Sequence, residues 1–310
     1  MKVHSKFFLL LTLFCLIPVG CGGEYDTNVS VWGSQGHLPG RFGLPRGIGA
    51  RDGFVYVIDR TGRVQKFDSQ GEYLMHWMLE KFDIGTPTGI AFDSKGMVWI
   101  ADTHNSRIQV FTPDGELTLT FGEYGEADGQ FIYPTDVAFD HAGNVYVVEY
   151  GRNDRVQVFT PEGDFLFSWG EFGEHEGQFN RPMAIEFGPD DHFYIADTGN
   201  HRIQVFTQEG EWVRAFGRRG SEPGEFDFPF DMEIDEEGYL YVTDYSNHRI
   251  QQLTAQGEYV RSWGGLGVLP GQLTNPWGVA LDGDYLYVAD TGNHRVQAFP
   301  IDRLTSRMMP

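Results

Sequence analysis

The sequence predicts an all-β ring: a six-bladed β-propeller with four-stranded antiparallel blades, closed by an N-terminal strand that joins the last blade. Three observations predict it. One unit is written six times, with a strand-ending acid at Asp59, Asp102, Glu149, Asp197, Asp244 and Asp290, spaced 43, 47, 48, 47 and 46 residues apart. The 40 glycines recur at regular turn positions between short apolar runs, and no helical periodicity intervenes. The last copy stops at Phe299-Pro300 without an outer strand, and the missing piece stands at the other end of the chain.

Each unit begins at a proline (Pro45, Pro87, Pro134, Pro182, Pro229, Pro276) and ends its signature with an arginine (Arg63, Arg107, Arg155, Arg202, Arg249, Arg295). In the third unit the pattern predicts strands over 136–140, 144–148, 155–159 and 165–169. The Asp140–Gly143 segment suits a tight turn that needs a left-handed residue. Val-Tyr-Val and Arg-Ile-Gln-Val-Phe runs suit a packed, pleated surface. Val29–Gly33 parallels Leu166–Gly170 and Val260–Gly264, so residues 29–33 are expected to complete the sixth sheet and remove two exposed edges.

These residues resemble the NHL repeat family. The name-giving triplet stands at Asn200-His201-Arg202, Asn247-His248-Arg249 and Asn293-His294-Arg295, with a weaker form at Asn105-Ser106-Arg107. The resemblance covers about residues 29–303 and implies the six-bladed fold, while leaving function to the site. Similar rings include peptide-amidating lyases, whose zinc-binding histidines follow the proline of the inner strand. Here those positions hold Arg46, Thr88, Thr135, Met183, Phe230 and Trp277, with no histidine. Six-bladed lactonases often carry Asn after such a proline, and no Pro-Asn occurs. The Cys/His zinc modules of the NHL-bearing ubiquitin ligases are also missing.

The first residues read as a targeting signal over 1–20: Lys2 and Lys6, an apolar run from Phe7 to Ile17, then Pro18-Val19-Gly20 ahead of Cys21. Small residues before a cysteine resemble a bacterial lipobox, from which Pro18 departs. The expectation is export across the cytoplasmic membrane and lipid on Cys21, with 21–28 as a tether, 29–303 as the propeller and 304–310 as a tail. The chain would then sit in the cell envelope as a membrane-anchored monomer. Its net charge of -21 repels phosphate backbones, so nucleic acid is not an expected partner. The two cysteines, Cys15 and Cys21, leave no thiolate site in the body of the chain.

Alternation along the inner strands puts small or acidic residues on the channel face. That face carries Asp136, Glu186, Asp231 and Glu233, candidates for a cation such as Ca²⁺ or for a hydrated acidic channel. Residues directly after the prolines ring the channel mouth, where Arg46, Met183, Phe230 and Trp277 are candidates to grip a ligand or to pack beneath loops. His201, His248 and His294 occupy one place in three blades and read as structural. The first three copies depart from the rule. The connection from Trp77 to Pro87 is short, the turn from Asp59 to Arg63 is short and lacks Asn, and the turn from Glu149 to Arg155 is long and carries Tyr150. A notch on that side is a candidate partner site. The favoured expectation is a scaffold that binds a protein, peptide or glycan. The alternative is a metal-dependent hydrolase, lactonase-like or lyase-like, working from the acidic channel.

Overall fold

The computed structural model describes residues 28–80 and 86–301. The segment 1–20, Cys21 and the tail 304–310 lie outside the described residues. Among those described, no helix is long and apolar enough to cross a membrane.

Six four-stranded sheets form the ring. The inner strands are Pro45–Arg51, Gly89–Phe92, Tyr133–Phe139, Pro182–Phe187, Pro229–Ile234 and Val279–Asp282. The closing strand, Ser30–Trp32, pairs antiparallel with the last strand, Arg295–Pro300, matching Ser30 to Ala298 and Trp32 to Val296. In the third blade the inner strand begins three residues earlier than the pattern predicts, at Tyr133, and the second strand runs on to Tyr150. Both extensions follow from Glu149, which sits opposite Pro134 on one side and Arg155 on the other.

The core lies between sheets, where Val, Ile and aromatic side chains of neighbouring blades interlock. Trp169 of the third blade packs on Tyr146 and Phe206, and its indole lies against the turn at Gly210 of the fourth. Gly210 has φ +83°, and a Cβ there would come within 2.5 Å of that indole. Glycine is required for both reasons. Replacing Gly210 by Ala is expected to cost at least about 1–2 kcal/mol, read as a lowered urea midpoint. An unchanged midpoint would contradict the packing described.

In the fourth, fifth and sixth blades the repeated Asp, Asn, Arg and Gln form one buried knot each. In the fourth blade the Asp197 carboxylate accepts from the Asn180 backbone N–H (2.8 Å), Asn200 Nδ2 (2.9 Å), Arg202 Nε (2.7 Å) and Gln204 Nε2 (3.0 Å). Gln204 Oε1 in turn accepts from the Gly177 N–H in the loop that enters the blade. The histidines fasten one blade to the next. His201, His248 and His294 accept at Nδ1 from the backbone N–H of Phe228, Asn275 and Leu44, at 3.2, 3.0 and 3.1 Å. Each of those three residues directly precedes a proline and is left-handed, with φ 62°, 49° and 61°. The histidine therefore secures a backbone conformation that costs about 1–3 kcal/mol. Asp154 takes the same place in the third blade and accepts from the Arg181 N–H at 2.6 Å.

The second blade breaks the knot at one point. Gln109 is fully buried, and its amide atoms have no hydrogen-bond partner among the described residues. Its counterpart Gln157 is held by the Gly129 N–H, the Gln130 carbonyl and Glu149. The expected outcome is therefore asymmetric: Gln157→Leu costs about 1–3 kcal/mol, and more than Gln109→Leu. Equal losses in paired denaturation curves would contradict it.

Candidate functional site

Two regions of the axis bring chemistry together. The first is the channel. Inner strands of adjacent blades approach so closely that a Cβ on Gly89 would strike the Thr135 carbonyl and Asp136, and one on Gly278 would strike the Arg46 carbonyl. Glycine and alanine are thus the rule on the channel face, and the acids are exceptions to it. Asp136 is 6% exposed and accepts from the Ile185 N–H of the next blade at 3.0 Å. Asp231 makes the equivalent contact with the Val279 N–H at 2.9 Å.

Burial raises all four channel carboxyls first of all, and repulsion within the set raises three of them further: Asp136 by Asp231, Glu186 by Glu233, Asp136 and Asp231, Glu233 by Asp231 and Asp136. Asp231 is pushed up to about 7, burial being opposed by its bonds to the Val279 and Met232 N–H groups. Glu186 and Glu233 also line a cavity of about 330 Å³ at the far end of the channel, walled by Phe92, Phe139 and Phe187 with Arg51 at its edge. Among the described residues, no three His, Cys, Asp or Glu side chains are grouped so as to hold a metal ion.

The second region is the mouth, at the start of the inner strands. Met183, Phe230 and Trp277 form a cluster, only 4, 6 and 9% exposed, with Tyr150, Phe228 and Tyr245 packed against it. Phe230 stacks on one face of Trp277, with centroids 4.2 Å apart and an interplanar angle of 7°. The Arg46 guanidinium lies 4.1 Å from the Trp277 ring centroid. Arg46 also donates from Nη1 to Thr86 Oγ1 at 2.9 Å, while its buried Nε has no partner among the described residues.

Beside this cluster opens a pocket of about 400 Å³ lined by Arg46, Arg60, Thr86, His104, Tyr150, Arg181 and Trp277. Among the described residues, no carboxylate lines it. Arg46 is brought down to about 10, by burial first and then by Arg60, with Arg181 adding to the repulsion. His104 accepts at Nδ1 from the Thr86 N–H at 3.1 Å, so its ring proton sits on Nε2. Burial, with the Arg46 charge adding to it, lowers its pKa and keeps the ring neutral.

The four mouth candidates thus divide into a pocket pair, Arg46 and Trp277, and a packed pair, Met183 and Phe230. Arg60, His104 and Arg181 were absent from the candidates drawn from sequence. A signal for two of the lining residues was present. After the strand-ending acid, three blades carry Thr103, Thr198 and Thr291, whose hydroxyls bond to Thr88 or to the carbonyls of Pro229 and Pro45 in the next blade. The first and third blades place Arg60 and Tyr150 there instead, in the short and long turns that depart from the repeat. The expected notch and the pocket share these residues.

Comparison with known proteins agrees with this architecture. Residues 85–111 and 273–299 match the NHL repeat family, and residues 175–264 match a family described as a 6-bladed beta-propeller. A curated relative, the Drosophila melanogaster protein brain tumor, is 39% identical over 64 residues, which are 20% of this chain and 6% of that protein. Among solved structures, virginiamycin B lyase from Staphylococcus aureus matches at TM-score 0.59 and 16% identity, over 83% of this chain and 94% of the lyase. A gluconolactonase from Xanthomonas campestris matches at 0.63 and 15%, over 84% and 86%. An auxiliary nutrient binding protein from Bacteroides thetaiotaomicron matches at 0.63 and 15%, over 83% and 69%. At such identities these likenesses establish the fold alone. With six closed sheets and both families matched, the chain is a six-bladed β-propeller that carries NHL repeats.

Proposed function

We propose that this chain is an extracytoplasmic binding scaffold, held at a membrane surface through Cys21, that engages a ligand or the exposed part of a protein, peptide or glycan at the channel mouth. The observation that carries the reading is the 400 Å³ pocket, to which five of the six blades contribute polar or aromatic side chains. Pockets of this size, walled by a few convergent polar groups on a rigid frame, are the usual form of a ligand site. The test is site-specific photo-crosslinking in cells. A photoreactive residue at Arg152, exposed on the turn beside the mouth, is expected to trap one defined species. The same residue at Lys95, in the turn at the opposite end of the channel, is expected to trap none. Equal trapping at both positions would overturn the reading. Labelling with a fatty acid, lost in Cys21→Ala, tests the anchor separately.

A second reading, a metal-dependent hydrolase or lyase, draws on the acidic channel and on the fold shared with the lyase and the gluconolactonase. It requires stoichiometric binding of Ca²⁺ that Glu186→Gln with Glu233→Gln abolishes in a calorimetric titration. Heat no larger than dilution would remove it.

A further inference from the structure

We infer that the ligand of the mouth pocket is a compact dianion carrying carboxylate or phosphate groups, a deepening that rests on the binding reading above. The first argument is charge. The chain carries -21 overall, yet Arg46, Arg60 and Arg181 meet around one pocket without a lining carboxylate among the described residues. Burial first, and then the charges of Arg60 and Arg181, weaken the hold of Arg46 on its own proton, and a bound anion offsets that repulsion. The second argument is an unsatisfied donor. Arg46 is clamped by Trp277 and Thr86, and its buried Nε has no acceptor among the described residues. A buried donor left without a partner is costly, and an oxyanion at the guanidinium edge offsets that cost.

The third argument is the geometry of what remains free. Both faces of Trp277 are covered, one by Phe230 and the other by Arg46, so the indole offers no face for a sugar ring. It serves to hold a guanidinium in place. The described residues that line the pocket beside it bring groups that serve an oxygen anion: two further guanidiniums, the His104 Nε2–H and the Tyr150 hydroxyl, within a volume suited to a small organic acid. Arg60 and Tyr150 stand at positions where the fourth and sixth blades carry Thr198 and Thr291, whose hydroxyls donate to the Pro229 and Pro45 carbonyls of the next blade. At those two positions the chain carries instead a side chain that lines the mouth pocket.

The test is calorimetric titration of the full chain with succinate, citrate, glycerol phosphate and inorganic phosphate, against acetate and glycerol as monoanionic and neutral controls. At least one dianion is expected to bind at least tenfold more tightly than acetate, and glycerol not at all. The carboxylate and phosphate arms distinguish the two sources of the same chemistry. Arg60→Gln and Arg181→Gln replace exposed side chains outside the packed cluster, so folding is retained, and each is expected to weaken binding at least tenfold. Arg46→Lys keeps the charge but loses the flat fork, and is expected to weaken it as well. Dianion binding that ignores all three variants would overturn the inference, as would dianions that bind no better than glycerol. If the photo-crosslink at Arg152 persists while no dianion binds, the inference falls and the scaffold reading stands. If the crosslink is lost while dianions bind in an Arg181-dependent way, the reverse holds.

Discussion

Asp197→Ala is expected to lower the stability of the ring by about 3–5 kcal/mol, among the largest effects of any single substitution here. The carboxylate is fully buried, and four donors from three segments of chain end on it. Burial alone raises its pKa, more than Arg202 and the hydrogen bonds lower it. The intact pair is therefore not a large net gain over a well-packed apolar pair. Half of it is worse than either, because Arg202 would stay behind with no carboxylate and Gln204 and Asn200 would each lose an acceptor. Asp197→Asn keeps the volume and some acceptors, and is expected to fall between. Urea denaturation followed by intrinsic fluorescence reads both, and a loss below about 1 kcal/mol for the alanine variant would contradict the knot.

The second large effect is a dependence of stability on pH set by the channel. Asp136, Glu186, Asp231 and Glu233 all have raised pKa values in the folded ring, Asp231 reaching about 7. The folded ring therefore binds more protons than the unfolded chain above the ordinary carboxylate range. The resulting stabilisation is complete below about pH 4 and is lost as pH rises through the folded values. His104 and His201 act in the opposite sense, because their lowered pKa values remove stability as pH falls. The informative window is thus about pH 6.5–8, above the histidine range. Over it the wild-type midpoint is expected to fall, while the triple change Glu186→Gln, Asp231→Asn, Glu233→Gln flattens the slope and raises the midpoint at pH 8. Parallel slopes for the two proteins would show that the channel acids do not titrate there.

The ring was legible because its causes are periodic. Evenly spaced acids, prolines and Arg-x-Gln runs mark each sheet, and a tryptophan-bearing strand with no sheet of its own, at Trp32, could only belong to the sixth. The channel acids were legible for the same reason: alternation along a strand assigns a face without coordinates. The mouth was legible only in part. Met183 and Phe230 follow prolines as Arg46 does, yet they turn into a packed cluster while Arg46 is held at the pocket. That division depends on how side chains from several blades fill the same space, which no single repeat encodes. Arg181 was missed because it precedes its proline, at a position held by Leu44, Phe228 and Asn275 in other copies and given no role by the repeat. The roles of the histidines likewise needed coordinates, since each acts on the blade after its own.

The pairing of Ser30–Trp32 with Arg295–Pro300 also fixes an order of events during synthesis. Of the ring's strands, the one made first belongs to the last sheet that can be completed. Roughly 260 residues must follow before its partner exists, a separation that makes this contact among the slowest to find. Until then five sheets stand as an open arc with a bare edge at either end. A ribosome stalled before residue 295 would release a chain holding most of its blades and no way to become a circle, a species suited to recognition by quality-control proteases or to pairing with its own kind.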